Sequence, residues 1–147
     1  MKWLFLSWLG LMASLHPSHP YPTLEATLAQ AEAQDQAVLL YFSGSDWCLP
    51  CIKFKRQVLA DSAFQAQTDG RLQVFVVDFP RQDSASAAHR AYKQQLAERY
   101  NPQGAFPSLL LLDARGEVLW RQGGYRNQSP TDLLAAWHPW LTPIPQP

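Results

Sequence analysis

Ala37-Val38-Leu39-Leu40-Tyr41-Phe42-Ser43-Gly44-Ser45-Asp46-Trp47-Cys48-Leu49-Pro50-Cys51 runs from an unbroken apolar segment, through a glycine-containing break, into two cysteines three positions apart. An apolar run of strand length with no alternation suits a strand buried on both faces, at the centre of a sheet flanked by helices. Gly44, Ser45 and Asp46 end it. After Pro50, Ile52, Phe54, Val58 and Leu59 recur at helical spacing. Cys48 therefore falls at or beside a helix start, where free backbone N–H groups and the positive dipole end favour a thiolate. Two residues wound into the first turn keep the sulfurs close enough to form a disulfide, with Cys51 the deeper of the two. Cys48 is the thiol that exchanges with a partner, and Cys51 resolves the mixed disulfide.

Outward from this stretch, residues 23–36 are rich in Ala, Leu, Glu and Gln, with Leu24, Leu28 and Ala31 at helical spacing. Ser62–Thr68 is a short helix stopped by Asp69-Gly70, and residues 72–79 read as a second buried strand. No hairpin signal lies between the two strands, so they are joined by a parallel crossover. Residues 80–85 form a polar loop, and 86–100 a helix stopped by Asn101-Pro102. Residues 109–112 and 118–121, around the turn Asp113-Ala114-Arg115-Gly116, read as an antiparallel hairpin. Ser129 as N-cap, Pro130 at the first helical position and Asp132 three residues after the cap open a last helix, with Leu133, Leu134, Trp137 and Leu141 on its buried face. The order implies an α/β fold: a three-layer arrangement with a central mixed sheet and helices on both faces.

At 147 residues the chain holds one domain, placed at 23–142, with 143–147 a Pro-rich tail. Twelve basic and twelve acidic side chains are scattered along it, so no basic stripe marks a nucleic-acid or membrane-surface binder. Lys2 precedes a run from Trp3 to Leu15 interrupted by Ser7, Gly10 and Ser14. That run is shorter than the ~20 apolar residues of a membrane span. Residues 1–22 are read as a signal peptide and short leader, against a buried N-terminal helix, with cleavage between Ala13 and His19 and export to the bacterial periplasm. Removing the leader takes Lys2 and leaves eleven basic groups against twelve acidic ones. With two cysteines in one four-residue stretch, such a protein does not use disulfides as scaffold; the pair is there for chemistry.

Trp47-Cys48-Leu49-Pro50-Cys51 resembles the Trp-Cys-x-x-Cys signature of the thioredoxin superfamily, and the order of elements agrees with that fold over residues 37–141. The run Ser43-Gly44-Ser45-Asp46-Trp47-Cys48 is most similar to exported bacterial members. The resemblance implies thiol:disulfide exchange with protein thiols and disulfides, without a cofactor or a metal. It also implies a cis bond between Phe106 and Pro107 facing the dithiol, with Phe106, Pro107 and Trp47 receiving substrate; Trp47 could equally be a core tryptophan. Two departures stand out. The buried acid of cytosolic members is replaced by Tyr41 or Phe42, and Asp46 is either a partial substitute or a surface turn or capping residue. Residues 80–99 read as an insertion-like segment that either shapes partner choice or is a solvated helix.

Lys53, Lys55 and Arg56 are read as an exposed helix face, and His89 and His138 as surface or half-buried residues. One rival reading is a metal site, but structural zinc needs four ligands, no second cysteine pair exists, and His89 and His138 would have to converge on the two cysteines without recognisable spacing; a copper dithiol is the related case. The other rival is a binding module of the same fold without turnover. Leu49 and Pro50 bear on direction: neither carries charge, and proline has no N–H to give the Cys48 sulfur. The thiolate is then moderately stabilised and the couple lies on the reducing or isomerising side, which in an oxidising compartment requires a membrane-linked electron donor.

Overall fold

The computed structural model describes residues 20–141, so the expected signal segment and tail lie outside the described residues. Five α-helices and four strands follow one another in the order α1 (Leu24–Gln34), β1 (Ala37–Ser43), α2 (Leu49–Phe54), α3 (Ser62–Thr68), β2 (Leu72–Asp78), α4 (Ala87–Tyr100), β3 (Ser108–Leu112), β4 (Val118–Gly123) and α5 (Pro130–Trp137). The sheet order is β2-β1-β3-β4. β1 pairs with β2 in parallel and with β3 antiparallel, and β3 with β4 antiparallel.

The two central strands explain the unbroken apolar runs, since every residue of β1 and β3 is buried. Strand alternation then divides them between two cores. Leu39, Tyr41, Leu109 and Leu111 face α2, α3 and α5, together with Cys48, Cys51, Phe54, Phe64 and Trp137. Val38, Leu40, Phe42, Leu110 and Leu112 face α1 and α4, together with Leu24, Leu96 and Tyr100. Each fully buried side chain of this size contributes about 1.5–3 kcal/mol.

Chain ends of the elements follow their capping chemistry. Thr23 caps α1, Asp61 caps α3 and Ser86 caps α4. Ser129 and Asp132 form a complete capping box on α5 with Pro130 just inside it. α1 stops two residues short of the expected 36 because Asp35 turns left-handed at φ 53°. α2 continues into a π-helical turn, Lys55–Leu59, which keeps both Phe54 and Val58 buried.

Two expectations need correction. The second strand is not buried on both faces: it ends at Asp78, and only Phe75 and Val77 are covered, while Val74 and Val76 are exposed. β2 is one edge of the sheet, and on the Tyr41 face the core reaches Leu72 but leaves Val74 and Val76 in solvent. Residues 80–99 are not an insertion or a solvated helix either. Their helix, α4, supplies Leu96 and Tyr100 to the second core, so it is one of the layers of the fold.

Candidate functional site

The sheet delivers β1 to a tight turn at its C-terminal end. There the Cys48 N–H donates to the Gly44 carbonyl at 2.8 Å and the Trp47 N–H to the same oxygen at 3.2 Å. Cys48 is the N-cap of α2, and its sulfur takes the position that Ser or Asp occupies in most helices, accepting the Cys51 N–H at 3.2 Å. That donor and the dipole end hold any negative charge that develops on Cys48. Pro50 lies inside the same first turn and supplies no N–H.

Cys48 and Cys51 are joined, with S–S 2.06 Å and Cα–Cα 5.2 Å. Cys48 is 4% exposed and Cys51 1%, so the order of depth is the expected one although both are largely covered. Two large apolar side chains reach solvent beside them: Leu49 is 67% exposed and Trp47 40%. Trp47 is therefore not a core tryptophan. Its indole N–H donates to the Phe79 carbonyl at 2.7 Å, and its ring meets Phe106 edge-on at 5.1 Å. Phe106 meets Phe79 edge-on at 5.9 Å. The Phe106–Pro107 peptide bond is cis, and Pro107 is buried at the start of β3.

Of the two candidates for the missing acid, strand parity selects Tyr41. It shares a face with the cysteines, and its hydroxyl donates to the Cys51 carbonyl at 2.9 Å, whereas Phe42 belongs to the opposite core. Burial pushes the Tyr41 phenol above its ordinary value; a hydrogen bond from Ser43 works against this and the Asp78 charge adds to it. Tyr41 is thus a neutral hydroxyl, not a base, at the back of a groove of about 320 Å³ that runs past Ser43, Cys51 and Lys55.

Asp46 is not a buried acid but an exposed residue of the turn, as the surface-turn reading has it, and its carboxylate caps no group of that turn. Both its carboxylate oxygens accept the Arg81 N–H, at 3.0 and 3.1 Å. Asp78, at the end of β2, accepts the Ser45 N–H at 2.9 Å and the Ser45 hydroxyl at 2.6 Å. The loop after β2 is in this way tied to the dithiol turn, and Asp78, Phe79, Arg81 and Lys93 are participants that sequence reasoning missed. One signal was available: Lys93 lies on the buried stripe of α4 with Leu96 and Tyr100, where a lysine is unusual.

Lys53, Lys55 and Arg56 are exposed, His138 is exposed, and His89 is half-buried against Tyr21, stacked at 4.3 Å. Among the described residues no three His, Cys, Asp or Glu side chains converge as metal ligands, and no helix is long and apolar enough to cross a membrane.

Comparison with known proteins gives concordant results. The sequence profile of the thioredoxin-like domain family matches residues 24–137. The disulfide bond reductase DsbH of Chlamydia pneumoniae is 35% identical over 96 residues, which cover 65% of this chain and 57% of that protein. The thioredoxin-related protein DsbJ of Chlamydia pneumoniae is 24% identical over 145 residues, covering 87% of this chain and 41% of that protein. The chain thus spans about half the length of these two relatives. Among solved structures, one described as DsbH oxidoreductase superposes with a TM-score of 0.70 at 27% identity, covering 84% of this chain and 90% of that one.

Proposed function

Since the chain belongs to the thioredoxin-like domain family, we propose that it is a thiol:disulfide oxidoreductase acting on protein thiols and disulfides through Cys48 and Cys51. The observation that carries the reading is the Cys48–Cys51 disulfide at the start of α2, with the Cys48 sulfur already accepting the helical Cys51 N–H. In the reducing direction the Cys48 thiolate attacks one sulfur of a substrate disulfide and expels the other as a thiolate. The Cys51 thiolate then attacks the Cys48 sulfur, re-forms the Cys48–Cys51 bond and expels the second substrate thiolate. Two electrons pass to the substrate, and a donor dithiol must return the chain to its reduced form.

Trp47, Phe106 and Pro107 receive the substrate in this reading, and Asp46, Leu49 and Pro50 modulate the couple. The exposed apolar surface of Trp47 and Leu49 beside the disulfide supports such docking. One N–H on the Cys48 sulfur, with Leu49 and Pro50 between the cysteines, supports moderate thiolate stabilisation. The couple then lies nearer the thioredoxin value of about −270 mV than the oxidising extreme near −120 mV. A chain so poised in the bacterial periplasm, the location favoured by residues 1–22, draws its electrons from a membrane-linked donor.

Reduction of insulin driven by dithiothreitol tests the activity: turnover that is lost in Cys48→Ser is the expected result, and a wild-type chain without turnover refutes it. Equilibration in glutathione buffers tests the direction, and a couple still mostly reduced at a poise of about −180 mV would place it among the oxidants.

A further inference from the structure

Lys93 is 6% exposed, on the stripe by which α4 packs against the sheet. A charge in that position persists only when it is paired and hydrogen-bonded. Its ammonium donates to the Asp78 carbonyl at 2.7 Å, pairs with the Asp83 carboxylate, and lies 5.4 Å from the centre of the Phe79 ring. All three partners belong to the last residue of β2 and the loop that follows it. This loop is also the one that meets the dithiol turn: Phe79 accepts the Trp47 indole N–H, Arg81 donates to Asp46, and Asp78 takes both donors of Ser45. Phe79 in turn adjoins Phe106, and Phe106 adjoins Trp47. A single buried ammonium thus sets where one wall of the site stands. The wall carries three aromatic rings, and Asp83 pairs the lysine behind them.

We propose that Lys93 is a positioning residue for substrate selection: through loop 79–83 it places the Trp47–Phe79–Phe106 surface, which takes a large apolar side chain next to the exchanging cysteine of a protein substrate. The inference rests on the exchange reading above. It adds Phe79 to the surface that touches substrate and assigns Lys93 and Asp83 to holding that surface. Neither Lys93 nor Asp83 takes part in the sulfur chemistry.

The test uses the full chain with three disulfide probes: a peptide with leucine beside each cysteine, the same peptide with serine there, and hydroxyethyl disulfide. Wild type should prefer the leucine peptide. Lys93→Met and Asp83→Asn should raise KM for that peptide about tenfold, the lower end for a misplaced apolar contact. Their kcat, their rate on hydroxyethyl disulfide and the potential of the Cys48–Cys51 couple should stay at wild-type values. If Lys93→Met does not fold, Asp83→Asn, which keeps the size of a half-buried loop side chain, carries the test alone. A wild type that reduces hydroxyethyl disulfide without preferring the leucine peptide overturns the surface, and an unchanged KM in a folded variant overturns the positioning role; both leave the exchange reading intact. Equal loss on all three probes in a variant overturns the positioning role. A wild type inert on all three overturns the exchange reading, and the inference with it.

Discussion

Replacing Gly44 with Ala puts a methyl group where the Trp47 indole lies. An ideal Cβ on Gly44 would stand 2.2 Å from Cε2, 2.5 Å from Cζ2 and 2.7 Å from Nε1 of that ring. The backbone of Gly44 is not left-handed, so alanine meets no conformational penalty there, and the whole cost falls on the indole. To make room the ring must swing outward, which breaks its 2.7 Å bond to the Phe79 carbonyl and its edge contact with Phe106. A neutral hydrogen bond contributes about 0.5–1.5 kcal/mol, and an aromatic pair about the same. The sum, about 1–3 kcal/mol, equals the usual cost of overpacking. Urea unfolding of Gly44→Ala should show a loss of that size. In a Trp47→Ala background the obstacle is gone, so Gly44→Ala should be neutral there or stabilising by about 0.4–1 kcal/mol through the unfolded state. The double-mutant cycle therefore predicts a coupling of at least about 1 kcal/mol between positions 44 and 47. Equal destabilisation in both backgrounds would refute the reasoning, because the clash would then not be with Trp47.

Cys51→Ser should accumulate mixed disulfides between Cys48 and substrate, visible on non-reducing gels, whereas Cys48→Ser should trap few; the reverse pattern would exchange the two roles. Tyr41→Phe should cost about 1 kcal/mol in denaturant unfolding and no more, because the Cys51 carbonyl keeps the Lys55 N–H as a second donor. Asp83 is held below the ordinary Asp range, first by the Lys93 hydrogen bond and then by the Ala85 N–H. Its folded-state value being depressed, the stability it supplies is complete above the ordinary Asp value of about 3.9 and is lost as pH falls through the folded value. Carboxyl NMR should show Asp83 titrating late on acidification, and Lys93→Met should move it upward. Leu110→Ala, at a fully buried position in the middle of β3, should lose about 2–5 kcal/mol by chemical denaturation without altering the Cys48–Cys51 potential.

The amino-acid sequence by itself determined the local elements and the chemistry. The all-apolar run of β1 marked a strand covered on both faces, whereas residues 109–112 read only as one arm of a hairpin, and the place of β3 beside β1 came from the sheet order. Ser129, Pro130 and Asp132 marked the start of α5, and a cysteine pair just after a strand break marked a reactive helix terminus, because capping and dipole effects act within one turn. Sheet position was another matter. Residues 72–79, apolar but for Gln73 and Asp78, also read as a buried strand, yet β2 is an edge strand with Val74 and Val76 in solvent; periodicity reports the composition of a strand and not its neighbours. Whether Tyr41 or Phe42 stands beside Cys51 depended on which face of β1 turns towards α2, which the packing of both layers decides. Lys93 was legible as a charge on an apolar stripe, but its partners Asp78, Phe79 and Asp83 are contributed by the strand end and loop that the tertiary fold brings beneath α4. The ties of Trp47 to Phe79 and of Asp46 to Arg81 span 32 and 35 residues. No local rule joins positions so far apart; they meet only because β1 and β2 pair in parallel and end at the same side of the sheet.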